Sequence, residues 1–310
     1  MLNVNIGVDM GGTNIKIGFV HEDQLLVKTT IPALSNNALS DRLNAVKKHI
    51  NQLLQDNSCT PKGIGISFPD IVDTEEMKIL GNYVKYGRAN EFDLKQWALD
   101  AWNIPLVLEN DARAALIGEW QYGAGKQCKD VVLMTLGTGI GTAAIQNNQI
   151  LRGKHFLSGI LGGHFTINNN GSLCSCGNIG CLETEASSWV LPKKIKDDPD
   201  YNKSLLSKEK HLDFEALFKL ASSDFLAKKI RNQCISIWAM GLVNLIHAYD
   251  PEKIIIGGGV MKSKNIILPI LKKHINEHAW IKKDSITILA ATDVEYAAIF
   301  GMNYLIKQKI

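Results

Sequence analysis

Three cysteines, Cys174, Cys176 and Cys181, lie within a span of eight residues. They suit a metal site, a redox pair with a third thiol, or a chance cluster of small apolar side chains. A relaxed disulfide between Cys174 and Cys176 is excluded by their closeness, and the C-x-x-C spacing of thiol redox sites is missing. Glycines at 177 and 180 suit a tight turn that directs the sulfur atoms to one point. We therefore predict a structural zinc site.

Such a site needs a fourth ligand, since closed zinc sites are tetrahedral. His164 lies ten residues before Cys174, behind a glycine pair that places it on a turn. His155 is an alternative, but nothing in its surroundings favours it. The prediction is a zinc ion held by His164 and the three cysteines, with no open position for water.

Two stretches repeat one order of strand, glycine-rich turn and strand. In the first, strands at Val4–Val8 and Ile15–Val20 flank a turn over Asp9–Thr13. In the second, over residues 131–152, the turn covers Gly137–Gly141. This repetition predicts two similar lobes.

Each turn combines glycine with threonine. Glycine lets backbone amides approach a ligand closely, and converging amides form an anion-binding concavity to which Thr13 and Thr138 add hydroxyl donors. A single turn of this kind is often only a tight turn. Two matched turns, one preceded by Asp9 at a strand end, favour phosphate binding.

Two common nucleotide motifs fail here. The stretch at 137–142, GTGIGT, ends in Thr142 and continues as a strand, so a Rossmann site is excluded by context. The P-loop pattern G-x-x-x-x-G-K-[ST] is absent. After a predicted strand at Ile254–Ile256, Gly257–Gly259 precedes a predicted helix, a place where nucleotides often lie.

A strand ending at Glu109-Asn110-Asp111 leads into a predicted helix that runs to about Trp120. An N-cap is the ordinary role of Asn or Asp at such a position. Because the position falls between the two turns in sequence, a carboxylate there is also suited to accept a hydroxyl proton during phosphoryl transfer.

The bulk properties fit a globular α/β protein of about two domains. The net charge is +3 over 310 residues, too balanced to indicate nucleic-acid binding. The N-terminus reads as a strand and no segment has the ~20 apolar residues of a membrane span. We expect a cytoplasmic protein without membrane or nucleic-acid partners.

In order along the chain, DMGGTNIK (9–16), ENDA (109–112), LGTGIGT (136–142), GGHF with CSCGNIGCLE (162–183) and IIIGGGVM (254–261) resemble the motifs of the ROK family of sugar kinases and repressors. The resemblance implies a two-lobed actin-like ATPase (ribonuclease H-like) fold with a mixed sheet in each lobe and a zinc-stabilised loop. We expect a small lobe over 1–112, on which a C-terminal helix at 296–310 packs, and a large lobe over 113–295.

The resemblance also implies an ATP-dependent hexose kinase acting at the C6 hydroxyl, commonly dimeric, with magnesium beside the nucleotide. Asp111 would be the general base. Phosphate contacts are expected from Asp9, Gly11, Gly12, Thr13, Gly137, Thr138 and Gly139, adenosine contacts from Gly258 and Gly259, and sugar contacts from Asn110, Asp111, His164 and Glu183. The zinc motif of the family matches His164, Cys174, Cys176 and Cys181. No helix-turn-helix segment precedes residue 1, which favours the kinase branch, and a sugar or nucleotide sensor is the alternative.

The sequence departs from the family pattern at two positions that the resemblance assigns to the sugar site. Leu161 stands where the family has a glutamate that grips sugar hydroxyls, and Asp70 follows Pro69 where Pro-Gly is common. We expect a sugar preference that differs from glucose, or a replacement carboxylate from Asp70. Arg113, where the family often has Asn, is either a polar contact or a solvated helix residue. The lysine-rich stretch at 196–225 reads as a surface helical region.

Overall fold

The computed structural model describes residues 1–81, 85–293 and 295–310, and the chain divides into two compact units. The first comprises Met1–Gln127, Arg152–Ser158 and Glu295–Ile310, and the second Cys128–Leu151 and Gly159–Val294. The first unit therefore extends beyond the boundary expected at residue 112. The reason is that the helix beginning at Asp111 packs against the C-terminal helix inside the first unit.

The first unit contains a five-stranded mixed sheet and a small hairpin. Its strands are β1 (Leu2–Met10), β2 (Asn14–His21), β3 (Gln24–Pro32), β4 (Cys59–Phe68), β5 (Val72–Asp73), β6 (Lys78–Ile79) and β7 (Leu106–Asn110). The sheet order is β3-β2-β1-β4-β7, and β5 pairs with β6. The first three strands are antiparallel, whereas β4 runs parallel to β1 and β7 parallel to β4.

The second unit repeats this arrangement. Its strands are β8 (Val131–Leu136), β9 (Ile140–Gln146), β10 (Gln149–Ile150), β11 (Lys253–Gly257) and β12 (Thr287–Ala290). Their order is β10-β9-β8-β11-β12, with two antiparallel hairpins followed by two parallel strands. The two similar lobes predicted from the repeated glycine-rich turns are therefore confirmed as two sheets of the same topology.

Helices cover these sheets. They are α1 (Leu39–Asp56), α2 (Leu94–Trp102), α3 (Asp111–Tyr122), α4 (Leu182–Ala186), α5 (Leu191–Lys196), α6 (Phe214–Leu220), α7 (Phe225–Tyr249), α8 (Lys264–His278) and α9 (Ala297–Lys309). Short 3₁₀ segments lie at Ala89–Glu91, Ile160–His164, Tyr201–Lys203, Leu205–Lys208 and Gly259–Ser263. Alternating apolar residues of β1 point into a core that α1 closes through Leu43, Val46 and Ile50.

Helix α3 is held against α9 by backbone contact at two glycines. A Cβ on Gly118 would lie 1.9 Å from the carbonyl oxygen of Ala297, and one on Gly301 would lie 1.9 Å from that of Ala114. No larger residue fits at either position without moving a helix. The contact fixes α3, and with it the first-turn residue Asp111.

The stretch at 196–225 is more than the surface region expected from its lysines. Leu206, Phe214 and Leu217 are buried in the core of the second unit, where they pack with Trp238 of α7. Among the described residues, no helix is both long and apolar enough to cross a membrane.

Candidate active site

The turn between β1 and β2 is braced from three sides. The Tyr86 hydroxyl donates to the Gly11 carbonyl oxygen (2.6 Å), and the Ser35 hydroxyl donates to that of Gly12 (2.9 Å). The Ala33 amide donates to the Thr13 carbonyl oxygen (2.9 Å). These three hydrogen bonds fix the positions of the carbonyl groups of the turn.

Asp9 lies near the end of β1, beside this turn. Its Oδ1 accepts a hydrogen bond from the Ser67 hydroxyl over 2.7 Å. Burial raises the pKa of Asp9, while the bond from Ser67 and the charge of Lys16 oppose the rise. The structure therefore brings Asp9 and the predicted phosphate-binding turn, Gly11–Thr13, together in one place.

Asp111 is the first residue of α3, directly after β7. Its Oδ1 accepts hydrogen bonds from its neighbours, the Ala112 amide (2.8 Å) and the Asn110 side chain (3.0 Å). Burial and then the negative charge of Asp9 raise the pKa of Asp111 to about 6, against the opposing effects of the Ala112 amide, Lys85 and Asn110. Such a carboxylate is ionised at neutral pH and yet basic enough to take a proton.

Asn110, not Asp111, is the N-cap of α3. Its Oδ1 accepts hydrogen bonds from the amides of Ala112 (3.0 Å) and Arg113 (3.2 Å). Its Nδ2 donates to Asp111 and to the carbonyl oxygen of Asp70 (3.2 Å). The Ala112 amide is shared between Asn110 and Asp111, while Arg113 bonds to Asn110. The sugar contact of Asn110 stays a prediction.

Arg113 is fully buried, so the reading of a solvated helix residue is wrong. Its guanidinium donates to the carbonyl oxygens of Phe156 and Ser158, at 2.8 Å each, and lies 3.5 Å from the carboxylate of Glu109. The buried Glu109 also pairs with Arg152 at 2.7 Å. These contacts fasten residues 152–158 to the start of α3.

Asp70 is buried, and its Oδ1 accepts a hydrogen bond from the Ile71 amide over 2.7 Å. The carboxylate also packs on Gly81, where a Cβ would lie 1.7 Å from it. Leu161 is half-buried in the second unit, within the 3₁₀ segment Ile160–His164. No contact with a sugar follows from either placement alone.

In the second unit, predicted nucleotide-binding residues line one cavity. Gly137, Thr138 and Gly259 border a space of about 550 Å³. Gly258 adopts φ +92, and a Cβ there would lie 2.1 Å from the Leu136 carbonyl oxygen, so glycine is required. Gly139 contacts Glu183 instead of this cavity.

Other residues of the same cavity were not anticipated. Residues around α6 supply much of its wall: Asp213, Phe214, Glu215, Phe218 and Lys219. Lys262 and Ser263 add polar groups from the 3₁₀ segment after β11. The alternation of apolar and charged residues from 213 to 219 marks an amphipathic helix, but gives no sign of which cavity that helix borders.

The four predicted zinc ligands lie together. Their ligand atoms are all within 4.8 Å of one another, with 3.5 Å from His164 Nδ1 to Cys174 Sγ and 3.7 Å from Cys176 Sγ to Cys181 Sγ. Tetrahedral zinc with ordinary bond lengths requires separations of roughly 3.6 Å between N and S and roughly 3.8 Å between two S atoms. The donor set therefore fits zinc, and His155, the alternative ligand, is not in the cluster.

Glu183 lies in the helix that follows the cluster. Cys181 is the N-cap of α4, and Glu183 lies in its first turn. Glu183 Oε2 accepts a hydrogen bond from the Ile140 amide over 2.9 Å, next to Gly139. The cysteine cluster thus sits one helical turn from a carboxylate attached to the second glycine-rich turn.

Comparisons with known proteins agree with this architecture. A family model described as "ROK family" matches residues 5–309. The sequence is 31% identical to a glucokinase of Halalkalibacterium halodurans, over 98% of this chain and 95% of that protein. It is also 26% identical to the xylose repressor of Bacillus subtilis, over 98% of this chain and 76% of the repressor. The structure resembles a ROK family glucokinase from Streptomyces griseus in complex with glucose and AMPPNP, with a TM-score of 0.81, 26% identity and coverage of 98% and 99%.

Proposed function

The chain belongs to the ROK family, and on that premise we propose that it is an ATP-dependent kinase that phosphorylates a hexose or hexose derivative at the C6 hydroxyl. The observation that carries the proposal is the state of Asp111. It is a half-buried carboxylate at the start of α3 whose pKa is raised to about 6, beside the braced turn Gly11–Thr13. A base of that strength suits proton removal from an alcohol near neutral pH.

In the proposed reaction Asp111 accepts the proton of the sugar hydroxyl. The hydroxyl oxygen forms a bond to the γ-phosphorus of ATP as the bond between that phosphorus and the β,γ-bridging oxygen breaks, and ADP leaves. Phosphoryl transfer depends mainly on positioning and charge stabilisation. Both are available in a fixed helix start and a braced glycine turn.

For the nucleotide we propose contacts from the glycine-rich turns. Phosphates would be held by the turns Gly11–Thr13 and Gly137–Gly139 together with Asp9, and Gly258 and Gly259 would approach the adenosine. An added Cβ at Gly137 or Gly259 would meet no atom within 4 Å. This open space supports the proposed contact of both glycines with the nucleotide. Magnesium bound with the triphosphate would neutralise part of its charge.

The zinc ion is proposed to act as a scaffold. His164, Cys174, Cys176 and Cys181 would hold it in a closed shell without a water position. Because α4 starts at Cys181, the metal would fix Glu183, which we propose binds the sugar together with Asn110 and the free face of His164. Asp70 is proposed as a further sugar-site carboxylate.

The sugar itself is proposed to differ from glucose in the region that Leu161 faces. Fructose, allose and N-acetylated hexosamines are the candidates, and glucose is the reference sugar of the panel. A buried polar contact discriminates between ligands by about 1–3 kcal/mol. Leu161 in place of the family glutamate would therefore change which sugar is preferred and leave the phosphoryl transfer itself unchanged. We also propose a homodimer, which light scattering would test.

The test is ADP release from ATP across the panel of hexoses, with Asp111→Asn as the matched inactive variant. Sugar-dependent ADP release that disappears in Asp111→Asn supports the kinase. The second candidate, a sugar-sensing regulator, is favoured by the similarity to a xylose repressor. Sugar binding detected by calorimetry without any ADP release would support that candidate and contradict the kinase.

A further inference from the structure

Lys85 lies over the first glycine-rich turn, although no motif includes it. A Cβ built on Gly12 would lie 2.7 Å from Lys85 Nζ and 3.1 Å from its Cε. The ammonium group therefore occupies the space that a side chain at position 12 would fill. A side chain at position 12 would require the flexible end of Lys85 to shift.

The backbone around Lys85 is fastened at three points. The Tyr86 amide donates to the Ser35 carbonyl oxygen over 2.6 Å. The Tyr86 hydroxyl donates to the Gly11 carbonyl oxygen, also over 2.6 Å. The Leu39 amide donates to the Gly87 carbonyl oxygen over 3.3 Å. Tyr86 is buried and packs on Phe68 with ring centroids 5.5 Å apart. The neighbours of Lys85 thus hold its backbone beside the turn.

The charges around this lysine are unbalanced in favour of carboxylates. After burial, which is the larger cause, the charge of Asp9 raises the pKa of Asp111, and the charge of Lys85 lowers it. Lys16, the cation that acts on Asp9, donates to the Glu295 carbonyl oxygen over 2.7 Å. Within the described part of the chain, no carboxylate makes a salt bridge with Lys85 (N···O within 4.0 Å). Its ammonium is therefore available to an anionic ligand.

We propose that Lys85 is a catalytic residue that contacts the phosphoryl group as it passes to the sugar, over the turn at Gly12. The proposal rests on the proposed kinase function. Lys85 would act as a point charge. As the bond from phosphorus to the sugar oxygen forms and the bond to ADP breaks, negative charge accumulates on the phosphoryl oxygens. An ammonium group beside these oxygens lowers the energy of the transition state. Asp111 takes the proton, and Lys85 keeps its own.

The experiment compares Lys85→Met and Lys85→Arg with wild type, and uses Lys78→Met as a matched control, since Lys78 is exposed and only loosely paired with Glu76. We expect kcat of Lys85→Met to fall by about 10²-fold, with the KM of the sugar within about twofold of wild type, since sugar contacts are unchanged. Lys85→Arg should recover at least a tenth of the wild-type kcat, because it keeps the charge. Lys78→Met should match wild type.

A kcat of Lys85→Met within threefold of wild type, or a change confined to the KM of the sugar, would overturn the proposal. A second measurement does not depend on turnover. Tripolyphosphate titrated by calorimetry should bind Lys85→Met at least fivefold more weakly than wild type or Lys78→Met. If no sugar supports ADP release but this difference is found, the kinase assignment falls and the anion contact stands; equal tripolyphosphate binding in all variants overturns the contact.

Discussion

Glu183 Oε2 accepts a hydrogen bond from the Ile140 amide over 2.9 Å, which joins the helix after the cysteine cluster to the second glycine-rich turn. The same carboxylate lies against Gly139, where an added Cβ would be 2.4 Å from Oε2. Since Cys181 is the N-cap of that helix, any metal that holds Cys181 also sets the position of Glu183. The cluster therefore acts on the proposed sugar site through a single turn of helix.

Loss of zinc should affect sugar binding and stability together. Cys176→Ser removes one of four ligands, and we expect the zinc content to fall, the Tm to drop and the KM of the sugar to rise by about tenfold or more. Elemental analysis, thermal unfolding and kinetics on the same preparation measure the three effects. Ser172→Ala, at an exposed position of the same loop, is the control. Full activity and an unchanged Tm in protein verified to be free of zinc would refute the scaffold.

Activity should fall in acid because Asp111 must be ionised to accept a proton. With its pKa raised to about 6, kcat/KM should be level above about pH 7 and decline about tenfold per pH unit below pH 6. Burial is the larger cause of this raised pKa and the charge of Asp9 is the second, so the decline in the residual activity of Asp9→Asn should move part of the way to lower pH. Circular dichroism at each pH separates titration from unfolding. An acid limb that does not move in Asp9→Asn, or substantial activity in Asp111→Asn, would contradict Asp111 as the base.

Arg113 should carry much of the local stability around the start of α3. Arg113→Met removes the donors to the Phe156 and Ser158 carbonyl oxygens and one partner of buried Glu109. Removing one member of such a network costs about 3 kcal/mol, which should lower the Tm and speed tryptic cleavage after the exposed Lys154. Arg88→Met, which breaks the exposed pair with Glu91, should cost less than about 1 kcal/mol. Equal Tm values and cleavage rates in the two variants would disprove the role of Arg113.

The local order of the chain was enough to predict several parts of this structure. In each hairpin the two strands and the glycine-rich turn are adjacent in sequence. The turn residues were therefore enough to predict both hairpins and their repetition. The strand ending at Asn110 and the helix starting at Asp111 follow from a polar pair between apolar runs. The cysteines and His164 are close in sequence and their chemistry restricts what they do together.

Features that depend on residues far apart in the chain could not be predicted from the sequence. Arginine is usually exposed, and Arg113 is buried because carbonyl groups some 40 residues later need its donors. Lys85 reaches Gly12 because Tyr86 and Ser35 connect two segments far apart in the chain. The unit boundary likewise depends on the contact of Gly118 with α9. In each case the partner is set by the fold, and no nearby residue signals it.

The role of Asp70 can be separated from that of its turn. Asp70→Asn keeps an oxygen for the Ile71 amide, whereas Asp70→Ala loses it. If Asp70 contacts the sugar as a carboxylate, both variants should raise the KM of the sugar by about tenfold. If Asp70 only shapes the turn that holds the Asn110 side chain, Asp70→Asn should retain the wild-type KM and Asp70→Ala should not. An unchanged KM in Asp70→Asn therefore eliminates the replacement carboxylate.

Leu161→Glu should move the sugar preference towards sugars that present a hydroxyl to this position. Leu161 is half-buried beside the tightly packed Gly162 and Gly163, so its backbone is fixed and a carboxylate there would have a defined direction. One new hydrogen bond from a sugar hydroxyl to a charged acceptor contributes about 1.5–3 kcal/mol, or about 10–150-fold in the ratio of kcat/KM values. Leu157→Glu places the same charge on an exposed residue and should leave the ratios across the hexose panel unchanged. If Leu161→Glu also leaves them unchanged while it folds and retains activity, position 161 does not contact the sugar, and the sugar preference of the proposed kinase must be set by other residues.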